Sequence, residues 1–195
     1  MNHKHFADLL AKRLHPILRE AGFKGSGSTL RRVSVPVVHV FNVQASSSGS
    51  RCFVNLGVHL TFLPPEGGQV VEPADLTESH CAFRQRLGED WAYGSTDEQA
   101  EASINQLVKA WQEGGASYFD RYSGFPESFF ALVHEANANQ INPKQGLTLA
   151  RIALEIGSRA RAAELAEASL SRSPAMASGL RFSLKQVLQQ ASRVL

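Results

Sequence analysis

Cysteine is scarce in this chain: two thiols, Cys52 and Cys81, serve 195 residues. That number is too small for a disulfide framework. Both lie in apolar or amphipathic runs, which predicts buried free thiols and a reducing compartment. Long apolar runs are also lacking. VSVPVVHVFNV is too short for a membrane span and carries Pro36 and His39. MNHKHFADLL has no apolar segment of the secretory type. The expected setting is the cytoplasm, with no membrane partner.

A strong charge of one sign is missing as well. The net charge is +2. Residues 1–32 carry 7 basic and 2 acidic side chains, residues 33–144 carry 6 and 13, and residues 145–195 carry 7 and 3. A nucleic-acid binder usually shows a basic stripe and a larger total. Basic ends beside an acidic middle are expected instead, and nucleic acid is not the expected partner.

Familiar catalytic signatures are absent. There is no HExxH, no paired CxxC and no GxSxG elbow. Six positions after Cys81 stands Leu87, and six after Cys52 stands Val58, where a cysteine phosphatase needs Arg. His80 next to Cys81 is a poor base for it if the two lie on one strand, because neighbours there point to opposite faces. His39 and His59 fall on adjacent strands with opposed directions, and His3 and His5 lie near the chain end. The serines of residues 46–48 sit in a turn, and the acids cluster in loops and helix starts, where capping accounts for them. GFKGSGS at 22–28 has the composition of a phosphate loop but lacks its Lys-Ser/Thr pair opening a helix. No catalytic residue, metal or cofactor is implied.

What is present is apolar material, 43% of the chain, enough for a core. Phe6, Leu9, Leu10, Leu14, Ile17 and Leu18 recur at helical spacing over residues 3–21, and Pro16 kinks that helix or starts its second half. Gly22 stops it. Strands are predicted at 28–35, 37–45 and 51–62, with ASSSGS closing the second hairpin. A further strand from Cys81 ends near Leu87 and Gly88. A helix starts at Ser95 or Thr96 and breaks at Gly114–Gly115 before Tyr122, and a short one follows Pro126.

Pairing Gln44 with Arg51 puts Val37, Phe41, Val43, Cys52, Val54, Leu56 and Val58 on a core face. The opposite face is mixed. It carries Val38, Val40, Asn42, Gln44, Phe53, Asn55, Gly57 and His59.

The last third is Ala-rich. Residues 149–174 read as two helices around Gly157, with a covering helix over 179–193. Ala150, Gly157, Ala162, Leu170 and Pro174 fall where one tetratricopeptide repeat places its small residues, turn and terminal Pro. The expected fold class is α+β. Residues 1–140 form an N-terminal helix on a small antiparallel sheet covered by further helices, and residues 141–195 form a helical hairpin plus capping helix packed on it.

The opening helix with Pro16, GFK at 22–24, LRR at 30–32, FNVQ at 41–44, FVNLGV at 53–58 and CAFRQRLG at 81–88 occur in an order and spacing that resemble a family of small bacterial proteins, domain of unknown function 4304. The resemblance covers about residues 1–95. It implies a fold and carries no activity with it.

The expected function is a non-catalytic protein-interaction module, adaptor-like or immunity-like, with another protein as partner. The alternative is a small-ligand or nucleotide-binding protein, with or without enzymatic activity. Its candidate residues are Asn42, Gln44, Asn55 and His59 on the mixed face, with Arg32, Arg84 or Arg86 holding an anion. A third arrangement, Arg31, Arg32, Arg84 and Arg86 around Phe53 or Trp91, is the one that would suit single-stranded nucleic acid.

Overall fold

The computed structural model describes residues 3–193. Contacts divide the chain into two compact units, Met1–Ser123 and Gly124–Leu195. The class is α+β.

The first unit opens with helix α1, His3–Arg13, and helix α2, His15–Glu20. Pro16 begins the second helix rather than bending a single one. The first turn of a helix has no partner for a backbone N–H, so the missing one costs nothing there. Gly22, at φ +86°, ends α2 with the Phe23 amide on the Leu18 carbonyl at 2.9 Å. That reversal drops Phe23 into the core, 1% exposed.

Five strands follow in an antiparallel sheet whose spatial order is the chain order. They are β1 Lys24–Ser26, β2 Thr29–Ser34, β3 Val37–Ala45, β4 Arg51–Leu60 and β5 Phe83–Ala92. Two of them differ from the sequence reading. β1 lies inside the glycine-serine segment 22–28, ahead of the first predicted strand, because Gly25 and Gly27 supply the positive φ that a tight hairpin requires. β5 does not stop near Leu87. It runs on through Gly88, at φ +70°, and the pairing slips there, between Cys52 and Val54 on β4.

Register also differs. Gln44 pairs with Phe53 rather than Arg51, because Ala45 pairs with Cys52 and the turn is confined to Ser46–Ser50. A slip of two residues keeps each side chain on its face. The inner face therefore carries Leu30, Phe41, Val43, Val54, Leu56 and Leu87.

Helix α3, Asp97–Ala110, packs beside α1 and β5. Thr96 caps it, accepting from the Gln99 amide, and Asp97 and Glu98 face its positive end. No break occurs at Gly114–Gly115. A π-helical turn, Trp111–Gly115, carries the chain on into helix α4, Ala116–Asp120. A Cβ on Gly115 would meet the Trp111 ring at 2.6 Å, so glycine is what admits the indole. Trp111 and Phe119 then meet Phe23 and Phe41 edge-on, at 5.1–6.0 Å between centroids. Burying each such ring contributes roughly 2–3 kcal/mol.

The outer sheet face has a different cover. The segment between β4 and β5 crosses one end of it, and Leu76 and Cys81, with Val71, pack on Val38 and Val40. Gly57 is the seat of that crossing. A Cβ there would lie 2.7 Å from Cys81 Sγ and 3.3 Å from Glu78 Cα.

The second unit is helical: α5 Glu127–His134, α6 Pro143–Glu155, α7 Arg159–Arg172 and α8 Ser178–Ala191. α5 packs on α6. α6 and α7 form the hairpin expected around Gly157, whose φ of +81° closes α6. Ala150, Ala153, Ala162 and Ala166 are fully buried, which lets the two helices approach closely.

Gly57→Ala is expected to lower the free energy of urea unfolding by roughly 1–3 kcal/mol, the usual cost of overfilling a packed site. Gly114, with open space about its Cβ position, is expected to accept Ala without loss. Equal stability of the two variants would contradict this seating of the crossing segment.

Candidate functional site

Only part of the outer face remains open. On it Asn42 stands opposite Asn55, and Arg86 lies beside Asn55 on β5. The polar side chains there bond to one another. Asn42 Nδ2 donates to Thr29 Oγ1 at 2.9 Å. Asn55 Nδ2 donates to Asn42 Oδ1 at 3.4 Å and to Gln44 Oε1 at 3.2 Å. The result is a ladder of three amides and one hydroxyl across three strands. Beside it the Arg86 guanidinium lies over the Phe53 ring, 4.2 Å from its centroid. Arg84 shares the face, opposite Gly57. Arg51 and Asp90 close the far side as an ion pair at 2.8 Å.

The structure thus brings together five of the seven residues singled out: Asn42, Gln44, Asn55, Arg84 and Arg86. His59 is on the same face but sealed, 2% exposed, with Nε2 against the Leu63 carbonyl at 3.1 Å. The crossing segment covers it. Arg32 belongs to the other face, because it pairs with His39. It donates to His39 Nδ1 at 3.0 Å and to the Ala21 carbonyl at 2.9 Å, and it lies over Phe23. It braces α2 against the sheet. Arg31 faces outward but gives its Nε to the Leu76 carbonyl at 2.5 Å, tying down the crossing segment. Trp91 is buried on the inner side, with Nε1 on the Leu87 carbonyl, so of the two stacking candidates Phe53 alone reaches this face. Thr29, which is not among the candidate residues of the sequence, joins the ladder. Its signal was the alternation of TLRRV, which puts residues 29 and 31 on one side.

The remaining reactive groups are held inert. Burial pushes the Cys52 and Cys81 thiols up to about 12. Neither supplies a thiolate near neutrality. Cys81 follows a 3-10 turn, Glu78–His80, and is not on a strand. Its Sγ donates to the Thr77 carbonyl, while His80 Nδ1 takes the Thr77 amide. Among the described residues no group of three or more His, Cys, Asp or Glu could hold a metal ion.

His39 is buried between Arg32 and the Tyr122 carbonyl. Burial first, then the Arg32 charge, lowers its pKa from 6.5 to about 4. The unfolded chain takes up this proton near pH 6.5 and the folded chain only near pH 4. His15 and His59 shift in the same direction through burial. Stability is therefore expected to hold above about pH 7 and to fall as pH drops from 6.5 towards 4. The His39 share is about 3 kcal/mol. Thermal melts across that range should show the fall, and His39→Gln should make it smaller. A melting temperature constant down to pH 4.5 would contradict it.

Comparison with known proteins adds a family but no activity. A family model described as Domain of unknown function (DUF4304) matches residues 14–121, from the end of α1 through the whole sheet to α4. No curated protein and no solved structure matches the chain. With more than half of its length in that match, this chain belongs to the DUF4304 family.

Proposed function

We propose that this chain is a bacterial, cytoplasmic, non-catalytic interaction module. It binds another protein through the open half of its outer sheet face. The observation that carries this is the hydrogen-bonded ladder of Thr29, Asn42, Asn55 and Gln44 flanked by the Arg86–Phe53 stack. The side chains hold one another in place before any partner arrives, which reduces the ordering cost of association. An aromatic ring and an arginine amid polar groups make the kind of centre on which interface energy concentrates. A pleated surface of this sort suits a broad partner better than an enclosed small molecule. Arg84 and Arg86 are exposed, so the partner surface is acidic. The two buried free thiols suit a reducing compartment. Adaptor and immunity proteins are the functional analogy.

Capture on tagged protein from the native host's lysate should recover one stoichiometric acidic partner. Arg84→Glu/Arg86→Glu is expected to reduce recovery at least about tenfold, as loss of two interfacial charges implies, with an unchanged thermal melt. Recovery equal to that of the unaltered chain would refute the reading.

A further inference from the structure

A second site lies on the helix side of the sheet, away from the polar face. α1 and α2 form one wall of a cavity of about 420 Å³, and the β1–β2 turn forms the other. That volume falls in the range of small-molecule pockets, roughly 300–1,000 Å³. Phe6, Leu10, Val43 and Tyr93 give it an apolar floor. His15 also lines it and is 4% exposed. Its Nε2 is buried without a hydrogen-bond partner. Buried side-chain nitrogens in folded proteins are nearly always bonded, and one left open costs about 1–3 kcal/mol. A ligand in the cavity that His15 lines could offer it that partner.

One helical turn on, Arg19 lines the same cavity from its rim. No described residue lining the cavity is acidic. Burial and the Arg19 charge keep the His15 ring neutral near pH 7. A neutral imidazole offers one N–H, and the guanidinium supplies the charge. An apolar floor, a buried N–H and a cation at the mouth define an amphipathic anion.

We propose that this cavity binds a small monocarboxylate with an apolar body, its chain on Phe6, Leu10, Val43 and Tyr93 and its carboxylate between Arg19 and His15 Nε2. The carboxylate accepts the imidazole N–H and pairs with the guanidinium, so the open nitrogen is satisfied only when the site is filled.

Octanoate is the probe. Calorimetry should show saturable one-to-one binding, and ¹⁵N spectra should show the His15 Nε2 signal shifting with the same saturation. Octanol, which keeps the chain and loses the charge, should bind at least about tenfold more weakly. Arg19→Gln, at an exposed position, should weaken octanoate about tenfold while leaving the melt of the free protein unchanged. His15→Leu should abolish the carboxylate preference. If that variant does not fold, Arg19→Gln and the Nε2 shift decide the matter. No saturable octanoate binding at millimolar concentration would overturn the proposal, and so would equal affinity for octanol. Tighter binding of octyl phosphate than of octanoate would overturn the carboxylate assignment.

Discussion

The two-residue alternation of the β3–β4 hairpin is the constraint on which the rest of the first unit depends. It sends Phe41, Val43, Val54 and Leu56 to the inner face and Val38, Val40, Asn42 and Asn55 to the outer. The inner set is apolar apart from His39 and demands a thick cover, which the helices and the Phe23, Trp111 and Phe119 rings supply. The outer set is apolar at one end and polar at the other. It therefore needs only half a cover. The segment between β4 and β5 provides that half, seated on the bare backbone of Gly57. The polar half is left open.

That division accounts for the mixed composition of the hairpin. Val38 and Val40 are not misplaced apolar residues on a solvated face, and His59 is not a ligand beside Asn55. They lie under Leu76 and the residues around it. Asn42, Gln44 and Asn55 lie beyond that edge and bond to each other across the strands. One strand thus passes from core to surface along its length while its side chains keep alternating.

What the sequence made legible followed from periodicity. Helix spacing located α1 to α3, and strand alternation assigned both faces of β3 and β4 even though the pairing lay two residues off. The slip arose because residues 45–50 are nearly all small turn formers, and several turn lengths fit them equally well. β1 was hidden because all three of its residues are exposed, so it has no apolar rhythm. The end of β5 was hidden by Gly88, which reads as a stop and acts as a bulge. The sealing of His59 was illegible for a different reason. The covering segment has turns and prolines but no period, and its contacts are long-range. His15 and Arg19 stand one turn apart, a spacing visible in the sequence, yet nothing in it shows that Val43 and Tyr93 complete a cavity around them.

The measurement that tests the central claim most directly is site-specific photo-crosslinking in the native host. A photoreactive residue replaces Gln44 on the open face, and the control replaces Gln106, equally exposed on α3. If the open half of the outer face is a binding surface, position 44 yields one discrete protein adduct and position 106 yields none. The absence of any adduct from position 44, or the same adducts from both positions, would contradict the account.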